Sequence, residues 1–195
     1  MQADDLLAFE ADIAAEFDAG RIKAPVHLAG GNEQQLIDIF KGIAKDDWVL
    51  CSWRSHYHCL LKGVPPAELK QAIMNGRSIA LCFPEHKVLS SAIVGGICPI
   101  ATGLGWAIKE RGGKERVHCF IGDMTGRTGI ARETAEYACS HELPVTFYVE
   151  DNDKSVCTDT AEVWAGHTSW DMHCMESYEY EMTRPHVGTG KFIKF

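Results

Sequence analysis

A three-layer α/β/α domain with a mainly parallel sheet is the architecture this sequence predicts, and three observations carry it. Short, nearly continuous apolar runs (WVLC, VHCFI, PVTFYV) alternate with amphipathic stretches of helical spacing. VHCFIG, GIARETAEYACSHE and PVTFYVE follow one another as strand, helix and strand, the order of a right-handed parallel unit. The strands also lack the in-out alternation of a sheet with one wet face, so helices should cover both sides.

Each element has its own warrant. DDLLAFEADIAAEFDAG sets Leu6, Phe9, Ile13 and Phe17 on one stripe and stops at Gly20, an N-terminal helical arm over about residues 1–20. NEQQLIDIFKGIAK reads as a second helix with Asn32 as its N-cap. WVLCS is a short strand, and PPAELKQAIMNG is a helix with proline at its start and glycine past its end. Between Lys87 and Lys109 the chain carries no charge and approaches the length of a membrane span. Its glycines, proline and small polar residues predict instead a buried helix from Gly95 to Glu110. The tail beyond Asp153 is rich in aromatic and histidine residues, with one further strand near Tyr178 to Met182 and a loop at PHVGTG.

Composition narrows the class. With 195 residues, 46% of them hydrophobic and 24% charged, the chain can bury a sizeable core as one domain. A formal net charge of -8 excludes nucleic acid as the main partner, because phosphate backbones need a basic surface. Eight cysteines include no C-x-x-C pair, and the opening MQADDLLAFEADI is acidic rather than leader-like. Free thiols, a cytoplasmic location and no membrane segment are the expectation.

Asp123 and Asn152 stand out because each ends an apolar run of the strand-helix-strand unit, where parallel sheets bind ligands. A carboxylate and an amide carbonyl are hard oxygen donors suited to Mg2+ or Ca2+. The helix from about Gly129 would point its N-terminus toward the same place and favour a phosphate. Taken singly, either residue is as well explained by a turn or a cap. A histidine and cysteine metal cluster is the reading of HYHC left open beside this one, though no second ligand pair at zinc spacing supports it.

The stretch from Gly122 to Asn152 resembles the thiamine diphosphate motif, Gly-Asp-Gly with a spacer and Asn, and more closely the alpha subunits of 2-oxo acid dehydrogenases. GD, Gly129, Glu133, Ala138, LPV, Phe147, Glu150 and Asn152 fall on that pattern. HLAGGNEQ, SWRSHYHCLLKGVPP and AIVGGICPIATGLGWAIK resemble three further family segments in the same order, from about Arg21 to Lys154. The resemblance implies the thiamin diphosphate-binding fold over residues 1–195, with thiamine diphosphate and Mg2+ as cofactors. It implies Asp123, the Asn152 side chain and the Lys154 backbone carbonyl as metal ligands. Gly122, Asp123, Met124, Thr125 and Asn152 would carry the cofactor motif, Trp53 and Arg54 would contact the diphosphate, and Val94 would lie near the pyrimidine. His56 and His58 would be catalytic, near the reacting end.

The activating glutamate of this family lies on a pyrimidine-binding, beta-type subunit, so a two-chain oligomer acting on a small-molecule 2-oxo acid or ketose-type donor is implied. The sequence departs from the pattern at Met124, where the family has glycine, and at Ala92. It also departs in its short segment after Lys154, where only His186 could stand for a phosphate-contacting loop histidine. Those departures motivate the runner-up to the enzyme subunit, a non-catalytic homologue with an assembly or regulatory role.

Overall fold

The structure, a computed structural model, describes residues 1–166 and 173–191. The helices are α1 (Ala3–Asp18), α2 (Glu33–Phe40), α3 (His56–Leu61), α4 (Pro66–Met74), α5 (Ile97–Glu110), α6 (Asp123–Gly126), α7 (Gly129–Ser140) and α8 (Thr160–Trp164). The strands are β1 (Trp48–Cys51), β2 (Cys82–Phe83), β3 (Val88–Ser90), β4 (Val117–Gly122), β5 (Val145–Asp151), β6 (Lys154–Ser155), β7 (Thr158–Asp159) and β8 (Met175–Glu179). Six strands form one sheet in the order β2-β3-β1-β4-β5-β8, parallel except for β2 against β3. The sequence-derived class therefore holds: a three-layer α/β/α domain on a mainly parallel sheet.

Strand β4 shows why the runs are continuous. Val117, Cys119 and Ile121 pack with Val145, Phe147 and Val149 of β5 under α5 and α7. Phe120 and Tyr148 face the opposite side, where α1, α3 and α4 deliver Leu6, Ile13, Tyr57 and Leu69. Burying a large apolar side chain contributes about 1.5–3 kcal/mol. That scale accommodates the one polar residue inside β4, His118, whose Nε2 sits 3.2 Å from Asp47 Oδ2.

Several expectations shift in detail. α1 belongs to the core, burying Leu6, Ile13 and Phe17 against α2, α3 and α4. α2 ends at Phe40 because the chain turns tightly at Gly42, whose N–H bonds to Ile39 O. Asn32 makes no side-chain cap; its amide points into the molecule instead. β8 begins three residues earlier than expected, since β5 pairs with it from Phe147↔Met175 to Asp151↔Glu179.

α5 is buried on one face only. Gly105 lies so close to β5 that a Cβ would meet Val145 Cγ2 at 2.3 Å, and Gly95 (φ 71°) is similarly pressed against Ile130. Ile100 and Trp106 on the outer face, with Ile130 and Tyr137 of α7, remain exposed. Among the described residues no helix is long and apolar enough to cross a membrane.

The thiols also differ from the expectation of a fully reduced set. Cys139 of α7 and Cys174, just before β8, form a disulfide with Cα atoms 5.7 Å apart, while Cys51, Cys59, Cys82, Cys98, Cys119 and Cys157 are free. The pair is separated by 35 residues in sequence. Only the β5–β8 pairing, which carries Cys174 beside α7, brings the two sulfurs together.

Candidate functional site

The C-terminal ends of β1, β4 and β5 open onto one cavity of about 60 Å3, space for roughly four waters. Ser52, Trp53 and Arg54 reach it from β1, Gly122 to Thr125 from β4, and Glu150 and Asn152 from β5. Lys154, Ser155 and Val156 close one side, and Tyr180, Met182 and His186 of the tail close another. The sequence-derived residues Trp53, Arg54, Gly122, Asp123, Met124, Thr125, Asn152 and Lys154 are thus brought together.

Asp123 sits at the first position of α6 and is 2% exposed. Its Oδ2 has no hydrogen-bond partner among the described residues. Burial pushes the carboxyl above its usual range; the neighbouring Thr160 hydroxyl opposes this and the Asp151 carboxylate adds to it. Among the described residues no basic side chain is one of the groups that shift it, so the negative charge there is poorly compensated. Asn152 faces the same space. Its Oδ1 accepts from the Lys154 N–H at 3.0 Å, while its amide donates to Tyr180 Oη at 3.2 Å and reaches Met182 Sδ at 3.6 Å. An amide oxygen has two lone pairs, so one remains for a ligand.

The helix whose first turn meets the cavity is the one-turn α6; α7 starts further out, with Thr128 as its cap. The chain breaks helix at Arg127 and Thr128, a step the sequence pattern conceals. Met124 lies in α6, where a side chain is accommodated, and its Sδ accepts from Trp164 Nε1 at 3.1 Å. Arg54 donates through Nε to Leu28 O and through Nη2 to His186 O, both at 3.0 Å. Lys154 pairs its Nζ with Asp159 across the β6–β7 hairpin.

Three sequence-derived residues lie elsewhere. Val94 is 53% exposed in the loop after β3 and is not among the residues that line the cavity. His56 is sealed, its Nδ1 donating to Glu10 Oε1 at 2.9 Å and its Nε2 accepting from Ser78 at 2.9 Å. His58 is also buried, its ring 4.5 Å from that of Phe120 and its Nε2 3.3 Å from Glu150 Oε1. Neither histidine lines the cavity.

The cavity also contains residues that sequence reasoning did not assign to it. Glu150 Oε1 accepts from Tyr178 Oη at 2.6 Å and from Asn32 Nδ2 at 3.2 Å, a buried cluster joining β5, β8 and the start of α2. Tyr180 and Met182 carried no signal, since only chain topology brings the tail over the strand ends. That tail fits closely, for a Cβ on Gly31 (φ 101°) would meet Glu181 O at 2.0 Å.

Comparison with known proteins adds an independent line. The model of the family described as "Dehydrogenase E1 component" matches residues 1–172. The chain is 28% identical over 179 residues to the pyruvate dehydrogenase E1 component subunit alpha-3, chloroplastic, of Arabidopsis thaliana, covering 80% of this chain and 42% of the relative. It is 29% identical over 154 residues to the alpha subunit of acetoin:2,6-dichlorophenolindophenol oxidoreductase of Cupriavidus necator, covering 74% and 46%. It is 29% identical over 166 residues to the pyruvate dehydrogenase E1 component subunit alpha of Rickettsia bellii, covering 80% and 51%. The chain therefore spans about half the length of these relatives or less.

Proposed function

The chain belongs to the dehydrogenase E1 component family, and from that premise we propose that it carries the diphosphate and metal half of a thiamine diphosphate site. The enzyme so formed would be Mg2+-dependent and act on a 2-oxo acid or a related ketose-type donor. One observation carries the proposal: a buried carboxylate with an unpartnered oxygen, Asp123, shares a cavity with Asn152, Trp53 and Arg54. Removing an ion from water is costly unless a counter-charge replaces the water. A divalent cation fits that need, and hard oxygens with a part-hydrated octahedron suit Mg2+.

In this reading Asp123, the free lone pair of Asn152 Oδ1 and the Lys154 carbonyl hold the metal. Trp53 and Arg54 hold the diphosphate, and Met124 and Thr125 present the first turn of α6 to it. Thiamine diphosphate, when bound, supplies stabilisation of a carbanion at its thiazolium carbon. The tail residues Tyr180 and Met182 shift outward to admit the diphosphate, because the cavity alone is too small. His58 stands behind the site and steadies Glu150, and His56 locks α3 to α1. The second, pyrimidine-binding chain docks over the strand ends near Val94 and on the apolar face of Ile100, Trp106, Ile130 and Tyr137.

Calorimetric titration of thiamine diphosphate into the chain, alone and co-expressed with candidate partner chains, tests the reading. Binding that requires Mg2+ and is lost in Asp123→Ala supports it; silence of the complex as well as the chain overturns it. A second reading, the non-catalytic homologue, draws on the donors of Arg54 and Asn152, which already serve Leu28 O, His186 O and Tyr180. Turnover by the assembled complex would end that alternative.

A further inference from the structure

Two buried oxygens beside the cavity lack hydrogen-bond partners among the described residues, and they are neighbours. Asp123 Oδ2 is one; the Thr160 hydroxyl, on a residue 2% exposed, is the other. The hydroxyl stands near enough to the carboxyl to influence its protonation, yet neither atom completes a hydrogen bond of ordinary geometry. A carboxylate and a hydroxyl this close normally satisfy each other, since the hydroxyl hydrogen can rotate toward any acceptor. Leaving both open is costly, and a valine of nearly the same shape would remove half of that cost.

The backbone delivers Thr160 deliberately to this place. After Asn152 the chain turns through Asp153 (φ 53°) and Val156 (φ 60°), non-glycine residues in the left-handed region. The β6–β7 hairpin then folds back, with Lys154 opposite Asp159. Asp153 fixes the return twice: its carbonyl accepts from the Thr160 N–H at 3.0 Å and its Oδ1 from the Ala161 N–H at 2.9 Å. At the far end of α8, Trp164 reaches Met124, the residue after Asp123. The hairpin is thus pinned at both ends across the carboxylate.

We infer that Thr160 supplies a further oxygen to the cation held by Asp123, its hydroxyl occupying one position of the octahedral shell. The inference rests on the metal-site reading above. A hydroxyl is a competent Mg2+ ligand, as the serine or threonine of phosphate-binding loops illustrates. It contributes no charge, so it tightens binding without adding to the acidic cluster of Asp123 and Asp151. The cation in turn satisfies both open atoms at once, which a hydrogen bond between them leaves undone.

The experiment is titration of the full chain with Mn2+ alone, free ion being counted by its paramagnetic resonance signal. Wild type, Asp123→Asn, Thr160→Val and Thr160→Ser are compared, each with a thermal melt in chelator. The expected result is loss of binding in Asp123→Asn, a dissociation constant raised about tenfold in Thr160→Val, and near wild-type affinity in Thr160→Ser. Melting of Thr160→Val in chelator should be unchanged or higher, which separates a lost ligand from a damaged fold. Should the valine variant not fold, Thr160→Ala takes its place in the same titration. Wild-type affinity in Thr160→Val with binding still dependent on Asp123 overturns this inference and leaves the metal site standing. Absence of Mn2+ binding by the wild type, or binding that survives Asp123→Asn, overturns both.

Discussion

Glu10 and Asp123 are both buried carboxyl groups, and the company each keeps separates a structural tie from a ligand site. Glu10 Oε1 holds the Ala29 N–H at 3.1 Å and His56 Nδ1 at 2.9 Å, joining α1, the loop before α2 and α3. The imidazole across from it donates through Nδ1, and Ser78 completes the chain on the far side. All three side chains are sealed from solvent. Asp123 has a hydroxyl and another acid nearby instead, and its open oxygen belongs to a residue that lines a cavity. Each carboxyl keeps one oxygen without a partner among the described residues, Glu10 Oε2 and Asp123 Oδ2. Only Glu10 faces an imidazole, whereas the reading proposed for Asp123 assigns its balance to a bound cation.

The largest consequence falls on the internal tie. Glu10→Ala leaves the His56 ring and the Ala29 N–H buried without their partner, and stability should fall by about 3–5 kcal/mol, read by denaturant unfolding with wild-type slope. Next in size is ligand protection. Mg2+ at a hundredfold its dissociation constant should stabilise the wild type by about 2.7 kcal/mol and Asp123→Asn not at all, measured by melting with and without chelator. Equal protection of both proteins would erase the contrast. Smaller again is the effect of Asp123→Asn in chelator, where removal of an uncompensated charge should raise stability by about 1 kcal/mol.

That last gain has a pH signature. The folded-state pKa of Asp123 is raised, so the folded protein keeps the proton longer than the unfolded chain does. Stability in chelator should therefore fall as pH rises from 3.8 through the raised value, then level off, and the asparagine variant should lack that step.

What the sequence made legible follows from how local the determinants are. β4, α7 and β5 follow from apolar runs and helical spacing, and the Asp123 and Asn152 ends come with them. α6 was hidden because a single helical turn has no periodicity to detect. The start of β8 was hidden because strict alternation runs only from Tyr178 to Met182, while Glu176 and Ser177 break it, and only pairing with β5 fixes the strand's beginning at Met175. Asn32 reads locally as a cap, but the partners that claim its amide, Glu150 and Tyr178, lie 118 and 146 residues away. Thr160 gives no sequence signal at all; the role inferred for it depends on a hairpin whose turns rely on left-handed aspartate and valine residues.

His27 offers the finest probe of the contrast, because it is a third way of handling a buried charge, by remaining neutral. Its Nδ1 donates to His186 O at 2.7 Å, the carbonyl that Arg54 also holds, so the ring helps pin the tail beside the site. Burial first, and then the Arg54 charge, push its pKa down to about 4. The unfolded chain binds a proton near the ordinary value of 6.5, so between 6.5 and about 4 it holds more protons than the folded protein. Stability contributed by neutral His27 is complete above that window and is lost as pH falls through it. His27→Gln should flatten the slope of melting temperature against pH in this range, by well under one proton because the ring is partly exposed. A slope unaltered in His27→Gln would assign the acid sensitivity to another buried imidazole, of which His118, also pushed down by burial, is the next to substitute.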